Sequence, residues 1–177
     1  MEKENIYLDN SAATRLDEEV LEAMKPFLFE IYAVASSEFG YSMGIKAQKA
    51  LAEARDWLAN YISADPKELI FTSGATESSN MAIKGVVEKI SDDKKNHIVT
   101  SKIEDFPVLN SYKKLESRGY QVTYLPVDEK GFVDPVQLEE AITEKTILVS
   151  IQHANQEIGT VQNIAEIGKI CKENDVL

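Results

Sequence analysis

The chain has 177 residues, 44% of them apolar and 28% charged, with 8 Gly and 5 Pro. That is a folded globular profile, which excludes disordered, collagen-like and membrane-spanning classes, and the length fits one domain or part of a larger one. Nineteen basic against thirty acidic side chains give a net charge of -11, and non-specific nucleic-acid binding is excluded because a phosphate backbone needs a basic face.

In chain order, Ile6-Tyr7-Leu8 reads as a short strand ended by the turn-forming pair Asp9-Asn10. From Asp17 the apolar positions Val20, Leu21, Met24 and Leu28 recur at helical spacing, with acidic residues in the first turn and Pro26 set to kink or shorten the helix. Residues 33–44 lack periodicity and read as an irregular loop. A long helix follows on the stripe Ala47, Leu51, Ala54, Leu58 and Tyr61, with its exit at Asp65-Pro66.

Leu69 to Thr72 reads as a short strand, Ser73 to Thr76 as a turn, and Glu77 onward as a helix. Residues 91–96 form a charged, solvated loop. Strand His97–Thr100, helix Val108–Ser117 and strand Gln121–Leu125 come next, with Gly119 as a stop. Asp134-Pro135 opens helix Val136–Thr143. Thr146 to Ile151 reads as a strand buried on both faces, and helix Ile164–Asn174 follows. Alternating strands and helices give an α/β class, with a mostly parallel sheet covered by helices on both faces. The next strand is expected after Asp175, so an open sheet edge is expected to need a partner, and the protein to be an oligomer.

The single cysteine, Cys171, cannot close an internal disulfide and reads as a small buried hydrophobe. The start of the chain has no basic-then-apolar leader, so a reducing, cytoplasmic location is expected. No apolar run approaches the ~20 residues of a membrane helix.

Three strand-end loops carry polar chemistry. In Thr72-Ser73-Gly74-Ala75-Thr76-Glu77, Gly74 allows close backbone approach, and the free amides of Ala75 and Thr76 with the Thr76 hydroxyl suit a phosphate. A capped helix after a tight turn explains the same residues. The stretch His153 to Gly159 follows the third strand of this series, where ligands of open α/β sheets sit. His153 and Glu157 have helical metal-ligand spacing without a third ligand. In Lys102-Ile103-Glu104-Asp105-Phe106-Pro107 the adjacent carboxylates diverge, and Asp105 reads as a helix cap. A triad of Ser36, His153 and Asp105 lacks a nucleophile-elbow pattern.

Taken together, residues 7–14 (Tyr7 to Thr14), 71–78 (Phe71 to Ser78) and 151–159 (Ile151 to Gly159) resemble the cysteine desulfurases. These are pyridoxal 5'-phosphate (PLP) enzymes of the aspartate aminotransferase-like class, and the likeness runs in order over essentially the whole chain. It implies a partial PLP-transferase-like large domain. Residues 1–64 would be an N-terminal segment with a substrate-side loop, and 65–177 the first half of the PLP-binding domain.

By the same resemblance Gly74, Ala75 and Thr76 bind the cofactor phosphate. Asn155 contacts the phenolic side of the pyridine ring and the substrate, and Asn10 lies near the substrate entrance. The family has a ring-stacking His where this chain has Asp105, and the family's Asn-Pro and His are absent from residues 33–44. The Schiff-base Lys, the acid that pairs with the pyridine nitrogen and the sulfur-carrying Cys lie beyond the matched region. A second polypeptide is therefore expected to complete the sheet and the active site, in a homo- or hetero-oligomer. The complete enzyme would convert L-cysteine to L-alanine and leave a persulfide for an iron-sulfur scaffold or another sulfur acceptor. The alternatives are a catalytically inactive scaffold or regulatory half-domain, favoured by Asp105, and a generic phosphate-ligand domain.

Overall fold

The computed structural model describes residues 6–36, 40–90 and 95–177. The chain forms two compact units, Met1–Phe71 and Thr72–Leu177. In the first, α1 (Glu18–Phe29) starts where the Asp17 side chain accepts from the Glu19 amide, and it runs three residues past Pro26. Helix α2 (Ser42–Tyr61) buries Gly44, Ala47 and Ala59, whereas Leu51, Leu58 and Tyr61 of the expected stripe are exposed. Tyr61 stacks on Trp57 with ring centroids 5.7 Å apart. A short 3-10 turn, Pro66–Glu68, is closed by a reciprocal cap between Asp65 and Glu68.

Neither Ile6–Leu8 nor Leu69–Thr72 is a strand. A strand exists only through its ladder partner, and no described residue of the first unit supplies one. The segment before Thr72 is held by side chains instead. The Arg55 guanidinium donates to the Leu69 carbonyl and lies 4.8 Å from the Phe71 ring centroid.

The second unit is a βα layer structure. It contains α3 (Ala75–Ile90), β1 (His97–Ser101), α4 (Phe106–Glu116), β2 (Gln121–Leu125), α5 (Pro135–Ala141), β3 (Thr146–Ser150) and α6 (Ile164–Glu173). The strands are parallel, in the order β2-β1-β3. Neighbouring residues of β1 point to opposite faces. Ile98 packs with Ile83, Val87, Tyr112 and Leu115 from α3 and α4, while Val99 packs with Leu138, Ile167, Ile170 and Cys171 from α5 and α6.

The strand buried along its whole length is β1, not β3, whose last three residues are only half-buried. The middle of a sheet goes to the strand with a neighbour on each side, and hydrophobicity along one strand does not reveal that order. The β1–β3 pairing is irregular at one point. His97 pairs with Thr146 and Ile98 with Leu148, leaving Ile147 as an extra residue on β3.

At the amino end of the sheet, His97 bridges all three strands. Its Nδ1 lies 2.9 Å from Thr146 Oγ1 and its Nε2 2.9 Å from Thr123 Oγ1. Burial lowers its pKa below the ordinary 6.5. The unfolded chain therefore takes up this proton more readily than the folded one. The stabilising contribution is complete above pH 6.5 and is lost as pH falls below it, at no more than about 1.4 kcal/mol per pH unit. Urea midpoints at pH 7.5 and 5.5 should show this loss, and His97→Gln should remove the part due to His97. An equal loss in both proteins would contradict the assignment.

Candidate functional site

Each of the three loops singled out above begins from a different local cause. At the first, Thr72 Oγ1 donates to the Gly74 carbonyl at 3.2 Å and lies 2.6 Å from Ser78 Oγ, while the Ser73 amide and hydroxyl both donate to Glu77 Oε2 at 2.6 Å. Those bonds hold the Glu77 carboxyl below the usual carboxylate range. The first bond of α3 runs from the Ser78 amide to the Gly74 carbonyl at 3.1 Å.

The amides of Ala75 and Thr76 and the Thr76 hydroxyl make no hydrogen bond among the described residues. They project from the amino end of a 16-residue helix. A Cβ placed on Gly74 would meet nothing within 4 Å, so the space over the loop is open. Unpaired amides, a hydroxyl and the positive end of a helix dipole form a donor set that fits a phosphate dianion.

The second loop follows β1. Its two carboxylates diverge, as their adjacency in an extended segment requires. Asp105 Oδ1 accepts from the Phe106 amide at 2.9 Å and caps α4. Glu104 turns inward, where its Oε1 accepts from the Ser101 hydroxyl at 2.7 Å and the Gln152 amide at 2.8 Å. Burial pushes the Glu104 carboxyl up, against the pull of those two donors, and the neighbouring Asp105 charge adds to the rise.

The third loop, after β3, is not a helix but a small hairpin over residues 154–161. Asn155 N donates to the Thr160 carbonyl at 2.9 Å, and one helix-type bond at the tip, from Gly159 N to the Asn155 carbonyl at 2.9 Å, turns the chain back. Gly159 takes the left-handed φ of 73° that the turn needs. His153 and Glu157 are exposed on this hairpin and do not share a helix face.

Asn155 is buried, and its carboxamide organises the loop. Nδ2 donates to the Ile103 carbonyl at 3.0 Å and to Gln152 Oε1 at 3.2 Å, while Oδ1 accepts from the amides of Glu157 at 2.9 Å and Ile158 at 3.2 Å.

The structure thus joins the loops carrying Asp105 and Asn155 directly. Thr76 meets the start of α4 in a cleft of about 390 Å³, lined by Thr76, Asn80 and Lys84 of α3 and by Phe106, Pro107 and Asn110 of α4. Asn10 lies in the first unit, in a turn where the Ala12 amide donates to the Asp9 carbonyl at 3.2 Å. Ser36 is also in the first unit, whereas His153 and Asp105 are in the second. Cys171 is buried against α5 and the sheet, and that burial raises its thiol pKa. No helix among the described residues is long and apolar enough to cross a membrane.

Comparison with known proteins adds the following. Residues 6–177 match the Aminotransferase class-V family. The chain is 51% identical over 174 residues to cysteine desulfurase IscS of Dictyoglomus turgidum, an alignment that covers 98% of this chain and 43% of that protein. It is 46% identical to cysteine desulfurase IscS of Clostridium botulinum, covering 97% of this chain and 42% of that protein. Among solved structures, a NifS-like protein superposes with a TM-score of 0.91 at 40% identity, covering 96% of this chain and 46% of its own. SspA in complex with cysteine gives 0.90 at 42% identity, covering 96% and 48%. The chain therefore spans less than half the length of each of these relatives.

Proposed function

The chain belongs to the class-V aminotransferase family, whose members use PLP, and from that premise we propose that it is the N-terminal part of a cysteine desulfurase. The observation that carries this reading is the set of unpaired donors at the start of α3. The Ala75 and Thr76 amides and the Thr76 hydroxyl hold the phosphate of PLP, and open space over Gly74 admits it. When bound, the cofactor supplies an electron sink for breaking bonds at the substrate's α- and β-carbons.

Asn155 stands on the ring side of the site. Its donors are already engaged, so direct contact with the ring's phenolic oxygen exchanges one present bond, and the 3.2 Å bond to Gln152 is the weakest to give up. Asn10, in the first unit, belongs to the substrate entrance. The aldehyde-binding Lys, the acid at the pyridine nitrogen and the acceptor Cys belong to the remaining part of the enzyme, beyond the matched region. The next strand of the sheet starts at the outer side of β3, where the Val149 amide donates to the Leu177 carbonyl at 2.7 Å. The assembled enzyme converts L-cysteine to L-alanine and moves the sulfur atom onto the acceptor thiol as a persulfide. An iron-sulfur scaffold or another sulfur acceptor then receives it.

Titration of the assembled protein with PLP tests the reading. Thr76→Val, which removes a hydroxyl bonded to a charged group, should weaken PLP binding about tenfold or more. Alanine should form from L-cysteine in the unsubstituted protein. An assembly that takes up no PLP would sink this reading. It would favour the inactive scaffold, for which the commitment of Asp105 to capping α4 is the supporting observation.

A further inference from the structure

Two loops leave the sheet side by side at the carboxyl ends of β1 and β3, and one carboxyl oxygen ties them together. Glu104 is 7% exposed, and its Oε1 takes one donor from its own side, the Ser101 hydroxyl, and one from the other, the Gln152 amide. Asn155 closes a second tie through its 3.0 Å bond to the Ile103 carbonyl. A buried carboxyl group is expensive to hold where an apolar side chain could fill the same volume. Capping of α4 does not need it, because Asp105 already does that. What Glu104 provides, beside the Asn155 tie, is a fixed distance between the two loops.

We propose that Glu104 is a positioning residue, which joins the loop of Asp105 to the loop of Asn155 and so sets Asn155 at the ring side of the cofactor site before any ligand arrives. The ligand-binding part of this inference rests on the PLP reading given above. Holding the loops in advance removes the cost of ordering them on binding, so the cofactor affinity gains what the crosslink has already fixed. The group's hydrogen-bonding role also distinguishes its substitutions. Glutamine keeps an oxygen that accepts both bonds, and alanine keeps nothing.

The test uses the assembled protein, first freed of cofactor, with residue-resolved hydrogen exchange and then PLP titration. Glu104→Ala should speed exchange of the Gln152 amide about tenfold and weaken PLP binding about tenfold, while Glu104→Gln restores both to within about threefold. Exchange at Thr123 and Leu125 in the β1–β2 ladder should stay unchanged in both variants. Unchanged exchange at Gln152 in the alanine variant would overturn the proposal. So would acceleration spread equally over the ladder, or failure of glutamine to restore. If exchange behaves as expected but the unsubstituted assembly takes up no PLP, the cofactor reading falls and the loop crosslink stands.

Discussion

Tyr112→Ala is expected to destabilise the second unit by about 3–5 kcal/mol, and Tyr112→Phe to leave it unchanged or raise its stability by up to about 1 kcal/mol. The ring is fully buried between Ile83, Val87, Ile98 and Leu115, so truncation opens a large cavity where α3 and α4 meet the sheet. The hydroxyl is a different matter. It finds no partner in hydrogen-bonding geometry, although the Thr100 hydroxyl, which donates to the Ser150 carbonyl at 2.9 Å, lies nearby. Burial raises the pKa of the phenol, as expected for a polar group with little to solvate it. Urea unfolding of the three proteins checks both signs. A phenylalanine variant weaker by more than about 1 kcal/mol would show that the hydroxyl is bonded after all.

A second large effect is expected at Gln162, which is 5% exposed. Its Nε2 donates to the Gly131 carbonyl at 2.6 Å and its Oε1 accepts from the Val133 amide at 3.0 Å, both bonds being buried. Gln162→Leu preserves the volume and leaves both backbone groups without a partner, at about 1–3 kcal/mol each. A total loss of about 2–6 kcal/mol is therefore expected. Gln137→Leu, at an exposed position of α5, should stay within about 0.5 kcal/mol. Comparable midpoints for the two leucine variants would contradict the burial argument.

Elements with local causes are legible in the sequence. Asp134 before Pro135 starts α5 because an Asp cap and a ring-fixed φ act within three residues, and Gln121–Leu125 is a strand with the expected bounds. Ile6–Leu8 and Leu69–Thr72 have strand-like residues and are not strands, because pairing depends on a neighbour that composition does not specify. The donors at Ala75 and Thr76 are legible for the same local reason as a helix start. Glu104 is not, since its partner Gln152 lies 48 residues away and the visible role at that place in the sequence belongs to Asp105. Gln162, 29 residues from Val133, is hidden for the same reason.

The extra residue on β3 governs the opposite end of the sheet. Were His97 opposite Thr146 followed by an even pairing, Val149 would stand level with Thr100, whereas in the protein Ser150 does. Each residue advances a strand by about 3.3 Å, so an even pairing would carry the Gln152 amide about 3.3 Å beyond its 2.8 Å contact with Glu104. It would also turn Leu148 away from the Ile98 side and toward the Val99 side. Ile147 thus acts as a spacer. Its insertion beside His97 brings the two loop exits into step at the other end, and deleting the offset would unlatch them without touching either loop.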